Sequence, residues 1–445
     1  MADLEKVVQF VRDKGIEFFL CSFVEMGGMP KAKLVPAKHL EDMANGSAGF
    51  AGFAVGNIGQ GPHDPDMIAI PDFSSVMQLP WRQNVAWVAS NIEVEGKSWP
   101  YCPRTILQAQ LLKAREKGYV FKTGVESEFF LLRKNGLGQY EPYDALDVQP
   151  RPCYDLGALN RSLEFMTTLV KYMEELGWDP YANDHEDANC QFEINWTYTD
   201  ALGTADRHTF FRWMVKALAE DRGLHATFMP KPFTHLTGNG AHLHMSLWDA
   251  KTDQNLFHQE KDENGLSELA YHFIGGLKKH ARALAAVTSP TVNSYKRLKR
   301  GSTRSGATWA PVFITYGASN RTQMIRIPGP GRIENRTMDG AANAYLAAAA
   351  ILAAGLDGVE NKIPPGKRNE RNLYELSARE LKTEDLELLP ATLSDALNAL
   401  ETDPAILGAL GATYAGYYLE CKREEWKDYH DSVSQWELER YLHQY

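Results

Sequence analysis

The spacing of apolar residues predicts a small β-rich unit at the start of the chain and a larger mixed unit after it. Residues 3–14 carry apolar side chains at helical spacing, and residues 16–36 read as two strands around a Gly-Gly turn. Short strand patterns continue to about residue 102, where prolines interrupt them. We therefore expect a first domain over residues 1–102.

Beyond that point, strand patterns alternate with long amphipathic helices. We expect helices over residues 106–117, 157–176, 206–223, 265–286, 342–355, 393–402 and 412–432, and strands over residues 119–133, 189–196, 240–248 and 321–328. Long helices mixed with strands predict an α+β fold with a second, larger domain over residues 103–445. The segment 358–371 is expected to be an exposed loop.

Composition narrows the class of protein mainly by exclusion. The 445 residues are 44% hydrophobic and 23% charged, which excludes disordered and fibrous chains. The net charge of −10 argues against nucleic acid as the main partner, because phosphate binding needs a basic face. The 5 cysteines form no C-x-x-C motif and the N-terminus is amphipathic rather than a signal peptide, so we expect a cytoplasmic protein with free thiols. The longest apolar stretch is too short to cross a bilayer, so no membrane partner is expected.

Polar side chains recur at i, i+2 spacing inside strand-like apolar segments. Residues at this spacing point to the same face of a strand. The rows are Glu126 with Glu128, His242 with His244 and Ser246, and Glu334 with Arg336. A solvated strand face is the alternative for each row taken singly, and the two histidines also suit a hydrogen-bonded core.

A further pair of acids, Glu186 and Glu193, has an odd spacing that one straight strand cannot bring to one face. A turn over residues 187–190 would let both carboxylates enter one cavity, although a polar loop is the alternative. Acids beside apolar residues need cations, because burying uncompensated carboxylates is costly. Oxygen-rich ligation with a single imidazole favours Mg²⁺ or Mn²⁺ over structural zinc. A zinc hydrolase built on His242 and His244 would lack a third histidine or cysteine at suitable spacing.

A group of arginines follows the histidine row and surrounds Glu334. They are Arg297, Arg321, Arg326, Arg332 and Arg336. Ordinary salt bridges would explain them, but arginine also suits bidentate contacts to carboxylate and phosphate. Metal-binding acids combined with arginines are typical of phosphoryl transfer. The sequence contains no G-x-x-x-x-G-K-[ST] motif and no G-x-G-x-x-G motif between a strand and a helix. We therefore expect neither a P-loop nor a dinucleotide-binding fold.

At these residues the chain resembles the glutamine synthetase superfamily. Motifs in the family's order are ESEFF, HEDANCQFEIN, GNGAHLHMS, PTVNSYKRL, SNRTQMIRIP and RIENRTMDGAANAYL. The resemblance covers essentially the whole chain, and SGATWAP is most similar to a short bacterial branch of type III glutamine synthetases and γ-glutamylmethylamide synthetases. It implies a β-grasp N-terminal domain over 1–102 and a catalytic domain over 103–445 whose strands line a bifunnel. It also implies a homo-oligomer, usually two stacked hexameric rings, in which one subunit's N-terminal domain completes the next subunit's site.

The same resemblance implies roles for individual residues. Three residues match the family's ligands of one Mg²⁺ or Mn²⁺ ion: Glu128, Glu186 and Glu193. Three others match the ligands of a second such ion: Glu126, His242 and Glu334. The substrate contacts match Gly238, His242, Arg297, Arg336 and Tyr154, the last beside the ammonium pocket. The nucleotide contacts match His244, Ser246, Arg321, Arg326 and Arg332. The catalytic positions match Glu25, Arg297, Arg321 and Arg336.

The implied reaction joins L-glutamate to ammonia through γ-glutamyl phosphate, using ATP as co-substrate. Methylamine or another small alkylamine is the alternative acceptor, because two positions depart from the family pattern. Glu25 stands where the family usually has aspartate, and the segment 299–311 lacks the family's usual glutamate. A catalytically silent relative is the alternative of another class, but it would have no reason to keep the intact set of acids.

Further departures are Met338 and Ala344, each in place of the family's proline, and neither has a mechanistic explanation. Tyr374 aligns with a residue that is adenylylated in some relatives, although a tyrosine on a surface loop is the simpler interpretation.

Overall fold

The structure, a computed structural model, describes residues 2–56, 60–376, 379–380 and 386–445. The helices within these ranges are α1 (Ala2–Lys14), α2 (Leu40–Ala44), α3 (Gly52–Val55), α4 (Pro103–Glu116), α5 (Leu156–Arg161), α6 (Leu163–Glu175), α7 (Ala201–Asp221), α8 (Glu268–Lys279), α9 (Ala281–Thr288), α10 (Ser294–Arg297), α11 (Ala344–Glu360), α12 (Leu393–Glu401), α13 (Pro404–Leu410), α14 (Ala412–Asp431) and α15 (Gln435–Tyr441), with 3₁₀ turns at Ala37–His39 and Phe73–Ser75. The strands are β1 (Phe18–Val24), β2 (Pro30–Pro36), β3 (Gly49–Phe50), β4 (Met67–Pro71), β5 (Met77–Leu79), β6 (Arg82–Val94), β7 (Lys97–Ser98), β8 (Tyr119–Lys134), β9 (Tyr140–Pro142), β10 (Pro180–His185), β11 (Gln191–Trp196), β12 (Thr199–Asp200), β13 (His225–Thr227), β14 (Ala241–Asp249), β15 (Tyr316–Gly317), β16 (Ile325–Gly329) and β17 (Arg332–Asn335). The predicted mixture of helices and strands is confirmed.

The strands before residue 99 form the smaller of two sheets, in the order β2-β1-β6-β4-β3, with β5 and β7 also paired to β6. Alternate residues of β1 enter a core of their own, because Phe19, Cys21 and Phe23 are buried there. β1 and β2 form the predicted hairpin, and Gly28 in its turn has φ +81°, a conformation that favours glycine. The domain boundary at residue 102 and the β-grasp topology stay predictions.

The larger sheet has the order β10-β11-β8-β14-β17-β16-β15, with β9, β12 and β13 also paired to the long strand β8. On one face of β8, Val125 and Phe129 enter the main core. On that same face the Ser127 hydroxyl lies 3.2 Å from Nε2 of His208 in α7. The sheet therefore leaves its other face, which carries Glu126 and the acids opposite it, to form a cavity.

Arg104, in the first turn of α4, connects the two sheets. Its guanidinium donates to Asp72 and Asn91 of the smaller-sheet unit at 2.7 and 3.0 Å, and to both carboxylate oxygens of Asp206 in α7 at 3.0 Å. Breaking such a buried pair would leave an uncompensated charge. This network therefore fixes the smaller sheet against the helices behind the larger one.

Two helices predicted as continuous are divided in the structure, which corrects the sequence interpretation. The prediction over 157–176 becomes α5 and α6, and the prediction over 265–286 becomes α8 and α9. The residues between the segments, Ser162 and His280, both have φ −95° with ψ close to zero, so the backbone departs from regular helical geometry there. His280 at its break lies 2.6 Å from Asp403.

Other boundaries move by a few residues for local reasons. The helix predicted from 206 begins at Ala201, because the Asp200 carboxylate caps its first turn. The strand predicted from 189 begins at Gln191, because the preceding Cys190 has φ +60°. Helix α11 continues to Glu360, so the loop predicted from 358 begins later.

The strand predicted over 321–328 begins at Ile325. In the described part of the chain, no helix combines the length and apolar character that a membrane span needs.

Candidate active site

The open face of the larger sheet lines a cavity of about 730 Å³. Its acidic lining residues are Glu126, Glu128, Asp184, Glu186, Asp187 and Glu193. Strand register explains the convergence, because Glu193 is paired with both Asp184 and Glu128 across β10, β11 and β8. The predicted rows of side chains therefore meet on one face of one sheet.

One cluster joins Glu128 and Glu193 to Glu186 in the turn after β10. One carboxylate oxygen from each lies within 4.8 Å of the others. Burial, followed by repulsion from nearby carboxylates that include Glu128, raises the pKa of Glu186 well above its ordinary value. Burial and the same kind of repulsion also raise the pKa of Glu193. These acids lack the positive charge that would keep them ionised.

A second cluster lies where β8, β14 and β17 run side by side. Register pairs Glu126 with His242 and His244 with Glu334. Donor atoms of Glu126, His244 and Glu334 lie within 4.8 Å of one another, and the same holds for Glu126, Glu193 and His242. His242 Nδ1 lies 3.4 Å from a carboxylate oxygen of Glu126 and 3.4 Å from one of Glu334. Both histidines therefore belong to the cluster, whereas the sequence interpretation gave a ligand role only to His242.

The pKa values in the second cluster move in the opposite direction. Burial would raise the pKa of Glu126, but hydrogen bonds from His242 and His244 lower it below its ordinary value. Burial likewise opposes ionisation of Glu334, yet the charge of Arg336 leaves its pKa at about 2. This part of the cavity therefore holds ionised carboxylates next to cationic and imidazole donors.

The arginines reach the cavity to different degrees. Arg336 donates to Glu334 at 2.5 Å and to the Trp309 carbonyl at 3.1 Å. Arg326 donates to the other oxygen of Glu334 at 2.9 Å. Arg297 is buried, donates to the Arg336 carbonyl at 3.1 Å and lies 3.3 Å from His242 Nε2. Arg336 and Arg326 therefore neutralise Glu334.

Arg321 and Arg332 lie at the rims of cavities and are exposed. Arg321 lines the acidic cavity. Arg332 lines a neighbouring cavity of about 370 Å³, together with His244 and Ser246. Glu126 lines both cavities.

The neighbouring cavity has an aromatic side. The Lys122 ammonium lies 3.7 Å from the ring centre of Trp248, and the Trp248 indole donates to the Ser246 hydroxyl at 2.9 Å. Tyr198 packs against Trp248 with ring centres 6.2 Å apart. The ring of Trp248 could stack on an aromatic group of a ligand, and the nearby Lys122 ammonium would attract negative charge on the same ligand.

Gly238 and Tyr154, which the resemblance assigns to substrate contacts, both line the acidic cavity. A Cβ atom on Gly238 would stand 2.2 Å from the Pro230 carbonyl oxygen, so only glycine fits there. Tyr154 has φ +62° and is 67% exposed, which leaves its ring facing the cavity mouth.

Glu25 is the predicted site residue that the structure places elsewhere. Its carboxylate accepts hydrogen bonds from the amides of Gly27 and Met29, both at 2.8 Å, within the β1–β2 turn. The Asn343 side chain holds the carbonyl of Glu25 at 3.0 Å. Glu25 is not among the described residues that line this chain's acidic cavity.

The acid-free segment 299–311 covers part of the cavity. Ser305 donates to the Asp187 carboxylate at 2.5 Å, and Thr237 donates to the same oxygen. The Arg151 guanidinium holds the Ser305 carbonyl at 3.1 Å. Asp187 therefore places a carboxylate beside a segment that has none of its own.

The donor set of the clusters fits divalent cations. Carboxylate oxygens dominate, with one imidazole in two of the three groups. Such sets suit Mg²⁺ or Mn²⁺, whereas structural zinc sites prefer thiolate and imidazole. The raised pKa values of Glu186 and Glu193 indicate carboxylates that a bound cation would stabilise in the ionised form.

Comparison with known proteins assigns the family. Residues 100–441 match the model of the glutamine synthetase catalytic domain. The chain belongs to the glutamine synthetase family. Membership implies the use of ATP and a divalent metal ion, and it makes the chain an ATP-dependent glutamate ligase.

Family relatives align over nearly the whole chain. A glutamine synthetase of Rhizobium meliloti (strain 1021) is 48% identical over 96% of this chain and 97% of its own length. A glutamate–methylamine ligase of Methyloversatilis universalis is 45% identical over 98% of both chains. A solved GmaS/ADP complex is 51% identical, covers 98% of both chains and superimposes with a TM-score of 0.92. The glutamine synthetase-type catalytic fold predicted from the motifs is thereby confirmed.

The sequence interpretation gave no site role to two residues that line the acidic cavity, Asp184 and Asp187, and considered Tyr374 only as a position for modification. Asp184 precedes Glu186 by two positions on a strand-like segment, so the i, i+2 rule was sufficient to find it. Burial and the charges of nearby acids raise the pKa of Asp184 to about 6. Asp187 and Tyr374 gave no spacing signal, because both act through contacts with the distant segment 299–311.

Proposed function

We propose that this member of the glutamine synthetase family joins the γ-carboxylate of L-glutamate to a small amine, with ammonia and methylamine both serving as acceptors. The observation that carries the proposal is the convergence of acids and arginines on one sheet face, next to a second cavity with an aromatic wall. Relatives named as a glutamine synthetase and as a glutamate–methylamine ligase both support this reaction class.

The metal ligands in this proposal are the six residues that the motifs matched. One Mg²⁺ or Mn²⁺ ion would be held by Glu128, Glu186 and Glu193, and a second by Glu126, His242 and Glu334. The contact between His244 and Glu126, at 2.8 Å, makes His244 a further candidate for the second ion. Bound divalent ions neutralise phosphate oxygens and so lower the cost of bringing two anions together.

The first chemical step transfers a phosphoryl group. A γ-carboxylate oxygen of glutamate attacks the γ-phosphorus of ATP, the bond to the bridging oxygen breaks, and ADP leaves. Arg336 and Arg321 face the transferred group and stabilise its charge. Arg297 and the backbone at Gly238 orient glutamate, while Ser246, Arg326 and Arg332 contact the nucleotide.

The second step forms the amide. The free amine attacks the carbonyl carbon of γ-glutamyl phosphate, phosphate leaves, and the amine loses a proton to a carboxylate. Tyr154 stands at the amine's entrance. Asp187 is a proton acceptor within the same chain, and Glu25 of an adjoining subunit is the acceptor that the family pattern suggests.

The proposal includes the assembly that the family pattern implies. The N-terminal domain over 1–102 has a β-grasp fold, and two stacked hexameric rings bring its Glu25 to the catalytic domain, residues 103–445, of the neighbour. The position of Glu25 outside this chain's own cavity supports that arrangement. A shared site of this kind makes activity depend on the ring.

A phosphate-release assay with glutamate, Mg-ATP and a panel of amines tests the proposal. Ammonia, methylamine, ethylamine and a bulky amine are compared at one pH, with mass spectrometry of the γ-glutamyl product. Phosphate release with ammonia and methylamine, and little with the bulky amine, is expected. Release that does not depend on glutamate, or no release with either small amine, would contradict the proposal.

A further inference from the structure

The buried carboxylate of Asp147 lies outside the cavity. It makes three hydrogen bonds to residues 185–190, the turn that connects β10 and β11. His185 Nε2 lies 2.7 Å and the Cys190 amide 2.6 Å from Oδ2, while the Asn189 side chain donates to Oδ1 at 3.0 Å. Asp147 is 6% exposed and stands in a loop far away in sequence from the turn. None of the family motifs includes it.

The turn that Asp147 holds has an unfavourable backbone conformation. Cys190 has φ +60°, in the left-handed region that non-glycine residues seldom adopt. The amide of that residue is one of the groups that donate to Asp147. At the other end of the turn, His185 Nδ1 lies 2.9 Å from the Glu186 carbonyl oxygen. Contacts to Asp147 therefore fix both ends of the turn.

Two cavity acids sit between those fixed ends. Glu186 joins Glu128 and Glu193 in one cluster of donor atoms, although like charges repel it from that position. Asp187 accepts the hydrogen bond from Ser305. The Glu186 amide also donates to the Gln191 carbonyl at 2.9 Å, and Thr237 also donates to Asp187. The contacts to Asp147 act together with these bonds, and a turn that lost them would let both acids move apart from their neighbours.

We propose that Asp147 is a positioning residue: its buried carboxylate holds the turn 185–190 so that Glu186 completes a cation cluster and Asp187 meets Ser305. The inference rests on the proposed function, since it takes Glu186 as a ligand of a divalent ion. Asp147 itself touches neither substrate nor ion.

Equilibrium binding of Mn²⁺ to the metal-stripped full-length protein tests the inference without relying on activity. Asparagine matches aspartate in shape but offers one acceptor oxygen, so Asp147→Asn sets an N–H group against a donor of the turn. We expect Asp147→Asn to weaken one Mn²⁺ site about ten- to hundredfold, the usual effect of losing a residue that orients a ligand, and to leave the other site unchanged.

Asp144→Asn is the matched control in the same loop. The Asp144 carboxylate binds Arg161 at 2.5 Å and the Leu146 amide at 2.9 Å rather than the turn. Its substitution should leave both Mn²⁺ affinities unchanged. If Asp147→Asn fails to fold, Asn189→Ala removes one donor to Asp147 and should weaken the same Mn²⁺ site by a smaller factor.

Glu186→Gln separates failure of the inference from failure of the proposed function. Unchanged Mn²⁺ binding in Glu186→Gln would contradict its role as a ligand, and with it the proposed function. Weakened binding in Glu186→Gln, together with unchanged binding in folded Asp147→Asn or Asn189→Ala, would overturn the positioning role alone. A lower melting temperature with unchanged Mn²⁺ affinity would also overturn it, because that is what a purely structural residue produces.

Discussion

Ser305 donates a hydrogen bond to Asp187, and this contact ties the segment 299–311 to the turn that carries Glu186. The segment contains no acid of its own, so the carboxylate at that wall of the cavity comes from the turn. From sequence alone, this segment lacks the glutamate that is usual in the family. The structure instead has an acid there, supplied from a different part of the chain.

The first prediction concerns Glu128, which faces Glu193 across the strand pair and belongs to the first cation cluster. Glu128→Gln keeps the shape of the side chain but removes its charge. ATP turnover with glutamate and ammonia should fall by more than about a hundredfold, the upper end of what is lost when only an orienting partner is removed. Mn²⁺ binding and steady-state phosphate release measure the effect.

Glu141→Gln is the control for charge removal on the same sheet. Glu141 lies on β9 and pairs with Arg133 at the surface, at 3.0 Å. Turnover in that variant should match the wild type. Turnover near the wild-type value in Glu128→Gln itself would refute its assignment as a ligand.

Strand periodicity predicted which side chains share a face, and this was correct for Glu126 with Glu128 and for His242 with His244. Periodicity cannot supply register, because register depends on pairing between distant segments. The pairing of Glu128 with Glu193, and of His244 with Glu334, therefore came only from the structure.

Local backbone conformation was the second limit of the sequence interpretation. The turn at Cys190 was anticipated, but its left-handed φ and the distant Asp147 that stabilises it were not. The helix breaks at Ser162 and His280 were not predicted for a similar reason, since neither residue is a glycine or proline. Tertiary contacts determine the turn conformation and the helix breaks, and such contacts produce no periodic pattern in the sequence.

Tyr374 is the subject of the second prediction. Its hydroxyl donates to the Ala310 carbonyl at 3.1 Å, at the end of the segment 299–311. Tyr374→Phe removes a hydrogen bond worth about 1 kcal/mol, or roughly fivefold in the equilibrium that keeps the segment in place. We expect more γ-glutamyl phosphate to be lost to water, measured as phosphate released per amide formed.

Tyr316→Phe provides a matched comparison. The Tyr316 hydroxyl also donates to a carbonyl at 3.1 Å, but that carbonyl belongs to Gly366, which does not line the acidic cavity. The ratio of phosphate to amide should stay at the wild-type value there. An equal rise in both variants would mean that the Tyr374 contact has no special role in closing the site.

The third prediction follows from His280, which lies 2.6 Å from Asp403 and 2.9 Å from Asp357. Burial lowers the pKa of His280, but these hydrogen bonds outweigh it and leave the pKa above its ordinary value. A raised folded-state pKa stabilises the protein fully below the unfolded value of about 6.5, and this contribution is lost as pH rises through the folded value.

His280→Asn should therefore cost more stability at about pH 6 than at about pH 9, with a loss of about 1.5–3 kcal/mol at the lower pH. Thermal and urea unfolding across that range measure the difference. His272→Asn is the control, because His272 faces the exposed Glu268 at 3.9 Å. A loss of stability that is the same at both pH values would contradict the assignment.

The fourth prediction tests whether the active site is shared between subunits. Glu25→Ala and Glu128→Ala should each be inactive, since one removes the carboxylate of the β1–β2 turn and the other a cation ligand. After subunit exchange in a 1:1 mixture, about a quarter of the sites would combine an intact Glu25 with an intact Glu128 from a neighbour. Activity should return to that level.

Subunit exchange is verified separately by mass spectrometry of isotope-labelled protein. A mixture that has exchanged fully yet stays inactive would place Glu25 in the site of its own subunit. Mixing two different Glu128 variants is the control, and it should restore nothing.

The last prediction concerns the choice of amine. Ser305, Gly306, Ala307 and Thr308 line the cavity in place of an acidic segment, so the wall has room for a methyl group. Burying one methyl group is worth about 0.8 kcal/mol, or roughly fourfold in affinity. That is too little for strict selectivity, so kcat/KM for ammonia and methylamine, corrected for the free base, should differ by less than about a thousandfold, or roughly 4 kcal/mol.

The carboxylates near the amine should affect the second step more than the first. Asp187→Asn and Glu25→Gln each remove a candidate proton acceptor, so amide formation should slow with both amines while γ-glutamyl phosphate still forms. Rapid-quench measurement of ADP and amide in a single turnover separates the two steps. Ser305→Ala removes one of the two hydroxyl donors to Asp187 without removing its charge, so it should leave amide formation closer to the wild-type rate. A preference beyond a thousandfold for one amine would mean that a specific contact, rather than the size of this wall, selects the acceptor.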